Sequence, residues 1–268
     1  MIEMLQYAFM QRALLAGLLV SLCAALLGVS LVLKRYSMIG DGLSHVGFGA
    51  LAIATALQMA PLAVALPVVV LAAFFLLRIS ENGSIKGDAA IAMISSGALA
   101  VGVIIVSLTK GMNTDLNNFL FGSILAMKES DVWLSVILSL VVLLLFVVFY
   151  HKIFAVTFDE TFARAVRLKA GFYNAVIAAL TAITIVLGMK MMGSLLISSL
   201  IIFPALSAMR ICHTFKGVVW LSAIVASVSF VVGLTVSFWY DTPTGATVVA
   251  VNIVLFLISF VCGKLRKE

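Results

Sequence analysis

Charged residues are scarce in this chain: Asp, Glu, Lys and Arg make up 10% of its 268 residues. A soluble domain has about a quarter. Hydrophobic residues make up 64%, and the mean hydropathy is +1.25. So little polar surface excludes folding in water and predicts an all-α protein with several membrane spans. The net charge of +6 is then typical of cytoplasmic loops near anionic lipid, so we expect no nucleic-acid partner.

The chain also lacks the motifs of common enzymes. It has no G-x-x-x-x-G-K-[ST] sequence to bind a nucleotide and no H-E-x-x-H sequence, and no Ser, His and Asp arrangement suggests a hydrolase. Its three cysteines, Cys23, Cys212 and Cys262, lie in or beside apolar runs without metal-type spacing, which predicts buried free thiols. The sequence therefore favours a conduit without a resident cofactor over an enzyme.

The hydrophobic runs predict one membrane domain over residues 1–268, because no loop is long enough for a second domain. A span needs about 20 apolar residues. Nine segments qualify, and the seventh, which contains Pro204, could instead be re-entrant and leave eight crossings. With the N-terminus outside, thirteen of the 17 Lys and Arg residues lie on the cytoplasmic side, as the positive-inside rule requires. The nine segments are residues 13–33, 37–58, 61–77, 89–109, 131–150, 173–190, 193–210, 218–239 and 244–263.

One cytoplasmic stretch, residues 157–171, is too polar to span a membrane. Its sequence, TFDETFARAVRLKAG, places acidic residues early and basic residues late. That order matches the helix dipole, and Thr157 or Asp159 is suited to cap such a helix. A short cytoplasmic helix that does not span predicts a docking surface for a partner.

Two ionisable residues lie inside the second predicted span, in the sequence GDGLSHVGFGA at residues 40–50. A spacing of four places Asp41 and His45 on one helix face. Carboxylate and imidazole are ligands for zinc, manganese or iron, and an ionisable residue within a span is a functional candidate. The alternative is that Asp41 only caps the helix and that His45 donates a hydrogen bond to a carbonyl.

Five stretches together resemble the permease subunits of bacterial ABC importers for zinc, manganese and iron. One of the stretches, at residues 240–249, is most similar to the zinc-uptake permease when it is taken together with the residues before it (GLTVSFWYDTPTGATVV, 233–249). The stretches are GDGLSHVGFGA, DLNNFLFGSILA at 115–126, FARAVRL at 162–168, MMGSLLISSLIIFPALSAMR at 191–210 and YDTPTGATVV at 240–249.

The resemblance implies a homodimeric pore in the bacterial inner membrane that imports a divalent metal, most simply zinc. It implies a separate cytoplasmic ATPase on each protomer and an extracytoplasmic metal-binding protein that delivers the ion. It also implies that Asp41 and His45 coordinate the metal. The residues implied to contact the ATPase are Asp159, Glu160, Ala163, Arg164, Arg167, Leu168, Arg210 and Lys216, and the candidate pathway or gate residues are Asp115, Asn117 and Asp241.

The chain departs from that family in two respects, and two other functions stay open. Residues 233–239 contain no histidine or acid, although manganese-type members can add ligands from that helix, and the family is usually drawn with about eight spans. A proton-coupled secondary metal carrier would also use an intramembrane Asp and His. A structural membrane protein would need Asp41 only as a cap.

Overall fold

The computed structural model describes residues 6–82, 87–109, 122 and 129–265, and every regular element in them is helical. Within these ranges, eight helices are long and apolar enough to cross a membrane. The prediction of an all-α membrane protein with eight or nine spans is confirmed. The helices are α1 (Ala8–Leu33), α2 (Ile39–Ala56), α3 (Pro61–Asn82), α4 (Gly87–Leu108), α5 (Glu129–Val148), α6 (Tyr150–Phe158), α7 (Glu160–Ala165), α8 (Ala170–Met192), α9 (Ser194–Ile211), α10 (Phe215–Tyr240) and α11 (Thr244–Leu265).

The ninth long helix is α2, which is not among the eight most apolar helices. Its 18 residues extend about 27 Å, slightly less than the hydrocarbon thickness of a bilayer. Its sequence contains four glycines together with Asp41 and His45, which lower its hydropathy. The helix that carries the candidate ligands is therefore the least suited to face lipid.

Contacts between helix ends agree with the predicted alternation of spans. At the side predicted to be cytoplasmic, the end of α1 forms an ion pair with α7 through Lys34 and Glu160. At the opposite side, Lys190 near the end of α8 forms an ion pair with Asp131 at the start of α5. These pairs join helix ends that the nine-span topology places on the same side of the membrane.

The seventh predicted span, α9, begins well below the outer surface. Gly193 joins it to α8 with φ of +88°, and Ser194 is buried. A Cβ at Gly17 would lie 2.7 Å from Cε of Met192, so this hairpin is level with Gly17, about 13 Å from the outer end of α1. From there α9 continues to Ile211, so it runs to the cytoplasmic side and is not re-entrant.

The centre of the protomer is formed by α1 and α8. Of the most apolar 18 residues in each, 67% and 72% are buried, against 22% in α3, α4 and α11. Those three helices are therefore peripheral. The three cysteines are free thiols as predicted, but only Cys23 is buried: Cys212 is partly buried, and Cys262 is exposed on peripheral α11.

Candidate functional site

The candidate metal ligands lie near the cytoplasmic end of α2. Met38 is the N-cap and makes no side-chain capping bond, whereas Asp41 lies within the first turn. Asp41 is therefore not the N-cap that the alternative interpretation required. Nε2 of His45 lies 3.5 Å from Oδ2 of Asp41, which confirms that the two side chains share one face.

Both side chains border an open part of the protomer surface. The Asp41 side chain is 45% exposed and that of His45 is 19% exposed. Nδ1 of His45 is buried and has no hydrogen-bond partner in the described part of the chain. The carboxylate is therefore accessible to an ion, while the imidazole is largely enclosed.

Small residues on α2 allow its neighbours to approach closely and so hold the pair in place. A Cβ at Gly42 would lie 2.5 Å from Cγ2 of Ile91, and one at Gly49 would lie 2.9 Å from the carbonyl oxygen of Ala98. Both of these neighbours belong to α4. Small residues are typical of helix contacts in membranes because they let backbones pack closely. Gly42 and Gly49 therefore hold α2 close to α4, while α2 also packs on α3, α8 and α9.

One protomer supplies an incomplete ligand set. Over residues 6–82, 87–109 and 129–265, no group of three His, Cys, Asp or Glu side chains is close enough to hold an ion. A tetrahedral site needs four ligands, and manganese or iron sites need more. Asp41 and His45 can therefore contribute two ligands, and water, backbone, a second chain or side chains outside these ranges would supply the rest.

The other predicted pathway residues are not brought to this pair by the described structure. Asp241 follows α10 at the opposite side of the membrane, where it is the C-cap with φ of +50° and is exposed. Its backbone N–H donates to the carbonyl oxygen of Ser237, so it has a clear capping role. Asp115 and Asn117 lie outside the described residues.

The predicted cytoplasmic helix is present as α7, and Asp159 caps it. Oδ1 of Asp159 accepts a hydrogen bond of 2.8 Å from the backbone N–H of Phe162. Arg164 donates to Glu160 over 2.6 Å, one turn along the same helix. The order of charges seen in the sequence therefore produces the expected capped helix.

The outward face of α7 differs from the set of residues inferred by resemblance. Ala163 is fully buried, and Leu168 is partly buried beside it. Phe162 and Val166 are 61% and 50% exposed, and Arg167 is exposed with φ of +61°. Sequence reasoning missed the two apolar side chains, although an apolar residue in so polar a stretch was a usable signal.

Polar contacts tie α7 to the membrane helices. Nζ of Lys34 lies 3.5 Å from Oε2 of Glu160, and the Lys34 side chain is only 11% exposed. Asn174, near the start of α8, accepts a hydrogen bond from Lys34 and donates one of 3.1 Å to Glu160. We call these three residues the Lys34 network. Sequence reasoning missed it, although Asn174 is a polar residue in an apolar helix.

The Lys34 network keeps Glu160 ionised. Burial by itself raises the pKa of this carboxyl, but hydrogen bonds from Asn174 and Arg164 and the charges of Lys34 and Arg164 outweigh it. The net effect is a pKa below the ordinary value. The carboxylate is therefore a stable link between α7, α1 and α8.

The two remaining docking candidates lie at the cytoplasmic ends of α9 and α10. Both are exposed, which suits a role in binding a partner. The guanidinium of Arg210 lies 5.1 Å from the centre of the Phe260 ring, and Lys216 is in the first turn of α10. Docking by these two residues stays a prediction.

Comparison with known proteins identifies the family. The family model described as "ABC 3 transport family" matches residues 6–263. The manganese import system permease protein ScaB of Streptococcus gordonii is 30% identical over 254 residues, which cover 95% of this chain and 91% of ScaB. The high-affinity zinc uptake system membrane protein ZnuB of Haemophilus influenzae is 32% identical over 247 residues, covering 92% and 95% respectively.

A solved structure supports the same assignment. A chain of PsaBC from Streptococcus pneumoniae, in complex with Fab, superimposes with a TM-score of 0.86 and 31% identity. The match covers 97% of this chain and 94% of that one. Together with the eight apolar helices, these matches show that this chain is a multi-pass bacterial membrane protein and belongs to the ABC 3 transport family.

Proposed function

We propose that the chain is the permease subunit of an ATP-driven importer and that its cargo is a divalent transition-metal ion. The observation that carries the proposal is the pair formed by Asp41 and His45 on the open face of α2. An ionisable pair inside a membrane domain is costly to keep, so a site for a transported ion accounts for its presence. ATP hydrolysis would take place on a separate subunit that docks at α7.

The incomplete ligand set favours a homodimer whose two α2 helices face each other. A two-fold axis along the membrane normal places equivalent residues at the same depth. Two carboxylates and two imidazoles would then meet at the axis and offer up to four ligands. The transported ion would bind there weakly enough to leave again, as a transport site requires.

Zinc and manganese are the two candidate cargoes. The resemblance of residues 233–249 to the zinc-uptake permease led us to expect zinc. Relatives of similar identity include proteins named for manganese import and one named for zinc uptake. A mixed carboxylate and imidazole set accepts either ion, because selectivity between them depends on geometry and supply. We therefore keep manganese as the alternative to zinc.

The test is metal uptake into vesicles that contain the complete transporter. Uptake of labelled zinc and manganese is compared between wild type, Asp41→Asn and His45→Ala at matched expression. Glu129→Gln is the control, since the Glu129 side chain is 64% exposed at the opposite side of the membrane. We expect both pair variants to lose uptake and the control to keep it. Normal uptake by both pair variants would refute the assignment of the site.

The same vesicles distinguish an importer from a proton-coupled carrier. Uptake by an importer requires the ATPase subunit and hydrolysable ATP, whereas a carrier responds to the proton gradient alone. We expect uptake to stop when the ATPase is inactivated and to continue when the gradient is collapsed. The opposite pattern would favour the carrier.

A further inference from the structure

A groove of about 420 Å³ opens on the side of the protomer opposite to the candidate metal ligands. It is bordered by α1, α5, α6 and α10, whereas α2 packs mainly on α3, α4, α8 and α9. Leu26, Phe146 and Val147 form much of its apolar wall, and Trp220 on α10 is 64% exposed at its edge. Its volume is within the range of pockets that bind small molecules.

The groove is apolar at membrane depth and polar at its cytoplasmic end. Tyr150 and His151, in the first turn of α6, line that end. The Tyr150 ring packs on Phe215 at 5.5 Å, which joins α6 to α10 there. Lys216 precedes Trp220 by four residues, so the lysine and the tryptophan lie on one face of α10. The hydroxyl of Tyr150 and the imidazole of His151 therefore line the cytoplasmic end of an apolar groove, and Lys216 lies one helical turn beyond Trp220 towards that end.

From this arrangement we propose that the groove binds an anionic phospholipid of the cytoplasmic leaflet. The acyl chain lies along Leu26, Phe146 and Trp220, and the phosphate lies near Tyr150, His151 and Lys216. Basic pockets between membrane helices on the cytoplasmic side are suited to anionic head groups. Charge complementarity thus points to a lipid of negative charge and not merely to any lipid.

A second copy of the chain fits this groove less well. In a dimer with its axis along the membrane normal, equivalent residues meet at the same depth. The Lys216 ammonium groups of the two copies would then approach each other, and like charges across an interface disfavour association. If the dimer instead forms at α2, as the proposed function holds, this groove is left to face lipid.

Fluorescence quenching by brominated lipids tests the proposal directly. The chain has three tryptophans, so Trp133→Phe with Trp239→Phe leaves Trp220 as the only reporter. The full chain is placed in phosphatidylcholine nanodiscs that contain equal fractions of brominated phosphatidylglycerol or brominated phosphatidylcholine. We expect stronger quenching by phosphatidylglycerol, and we expect Lys216→Gln to lower its relative affinity about fivefold.

Two further variants make the result specific. Lys264→Gln removes an exposed charge from the last turn of α11 and should leave the preference for phosphatidylglycerol intact. Ala223→Leu fills the groove, which Ala223 lines, and should weaken quenching by both lipids. Binding is read without metal, ATPase or binding protein, so a failure here is distinct from a failure of the proposed transport function or of ATPase docking at Lys216.

Three outcomes would overturn the proposal. Equal quenching by the two lipids would mean ordinary contact with bulk lipid. Quenching by neither would mean that another protein surface, such as a second copy, covers the groove. An equal loss in Lys264→Gln and Lys216→Gln would mean general attraction to a basic surface without a site.

Discussion

Neutralising Glu160 should destabilise the protein far more than neutralising an exposed carboxylate of the same chain. Glu160→Gln keeps the size of the side chain but removes the negative charge that lies 3.5 Å from the ammonium of Lys34, a side chain that is only 11% exposed. Breaking a fully buried ion pair costs about 3–5 kcal/mol, and an exposed pair contributes about 0–1 kcal/mol. Because the Glu160 side chain is 31% exposed, we expect an intermediate loss of about 2 kcal/mol.

A double-mutant cycle measures this interaction in isolation. The free energy of unfolding is determined by denaturant titration in mixed micelles for wild type, Lys34→Met, Glu160→Gln and the double variant. Residues in one polar network show a coupling energy, so the double variant should lose much less than the sum of the single losses. The matched control is the cycle for Arg12→Met and Glu129→Gln, because that ion pair is 44% and 64% exposed.

The coupling energies from the two cycles show whether the Lys34 pair contributes more to stability than an exposed ion pair does. We expect a coupling energy of about 2 kcal/mol for the Lys34 pair and less than about 1 kcal/mol for the Arg12 pair. Equal coupling energies in the two cycles would contradict the inference that the Lys34 network is a structural link. A large loss in both single variants without coupling would mean that each side chain acts through other contacts.

Three other predictions follow from the described contacts. Gly28→Ala should lower the melting temperature markedly, because its Cβ would lie 2.1 Å from the carbonyl oxygen of Ile201, whereas Gly97→Ala, with open space around its Cβ, should not lower it. The stability advantage of wild type over Glu160→Gln should be complete above the ordinary carboxyl pKa of 4.5, and it should disappear as pH falls through the lower pKa of Glu160 in the folded state. Unfolding titrations at several pH values measure it, and an advantage that grew at acid pH would contradict this prediction. Asp159→Ala should weaken α7 by about 1 kcal/mol and reduce co-purification of the ATPase, whereas Asp159→Asn should preserve both.

The membrane domain and the proximity of Asp41 to His45 could be predicted because both depend on short-range patterns. A run of apolar residues defines a span wherever it occurs, and a spacing of four places Asp41 and His45 on one face in any helix. The cap at Asp159 is equally local. Each of these features needs only the residues within a few turns of itself.

The remaining features depend on how distant segments pack. Lys34 and Glu160 are far apart in sequence, so no local pattern predicts that they form an ion pair. The recessed outer end of α9 follows from the depth at which Gly193 packs, and its residue composition is that of an ordinary span. The rotation of α7, which buries Ala163 and exposes Phe162, is likewise set by the helices behind it.

The way the chain treats its partly buried carboxylates sets the candidate site apart. Asp131 forms an ion pair of 2.8 Å with Lys190, and Glu160 is held by Arg164 and the Lys34 network. Within the described residues, the ion-pair partner of Asp41 is the imidazole of His45 at 3.5 Å, and almost half of the Asp41 side chain is exposed. A carboxylate inside a membrane domain needs a compensating charge. Among the partly buried carboxylates of the described residues, Asp131 and Glu160 have a cationic side chain beside them and Asp41 has an imidazole, which is why we propose a transported cation as the partner of Asp41.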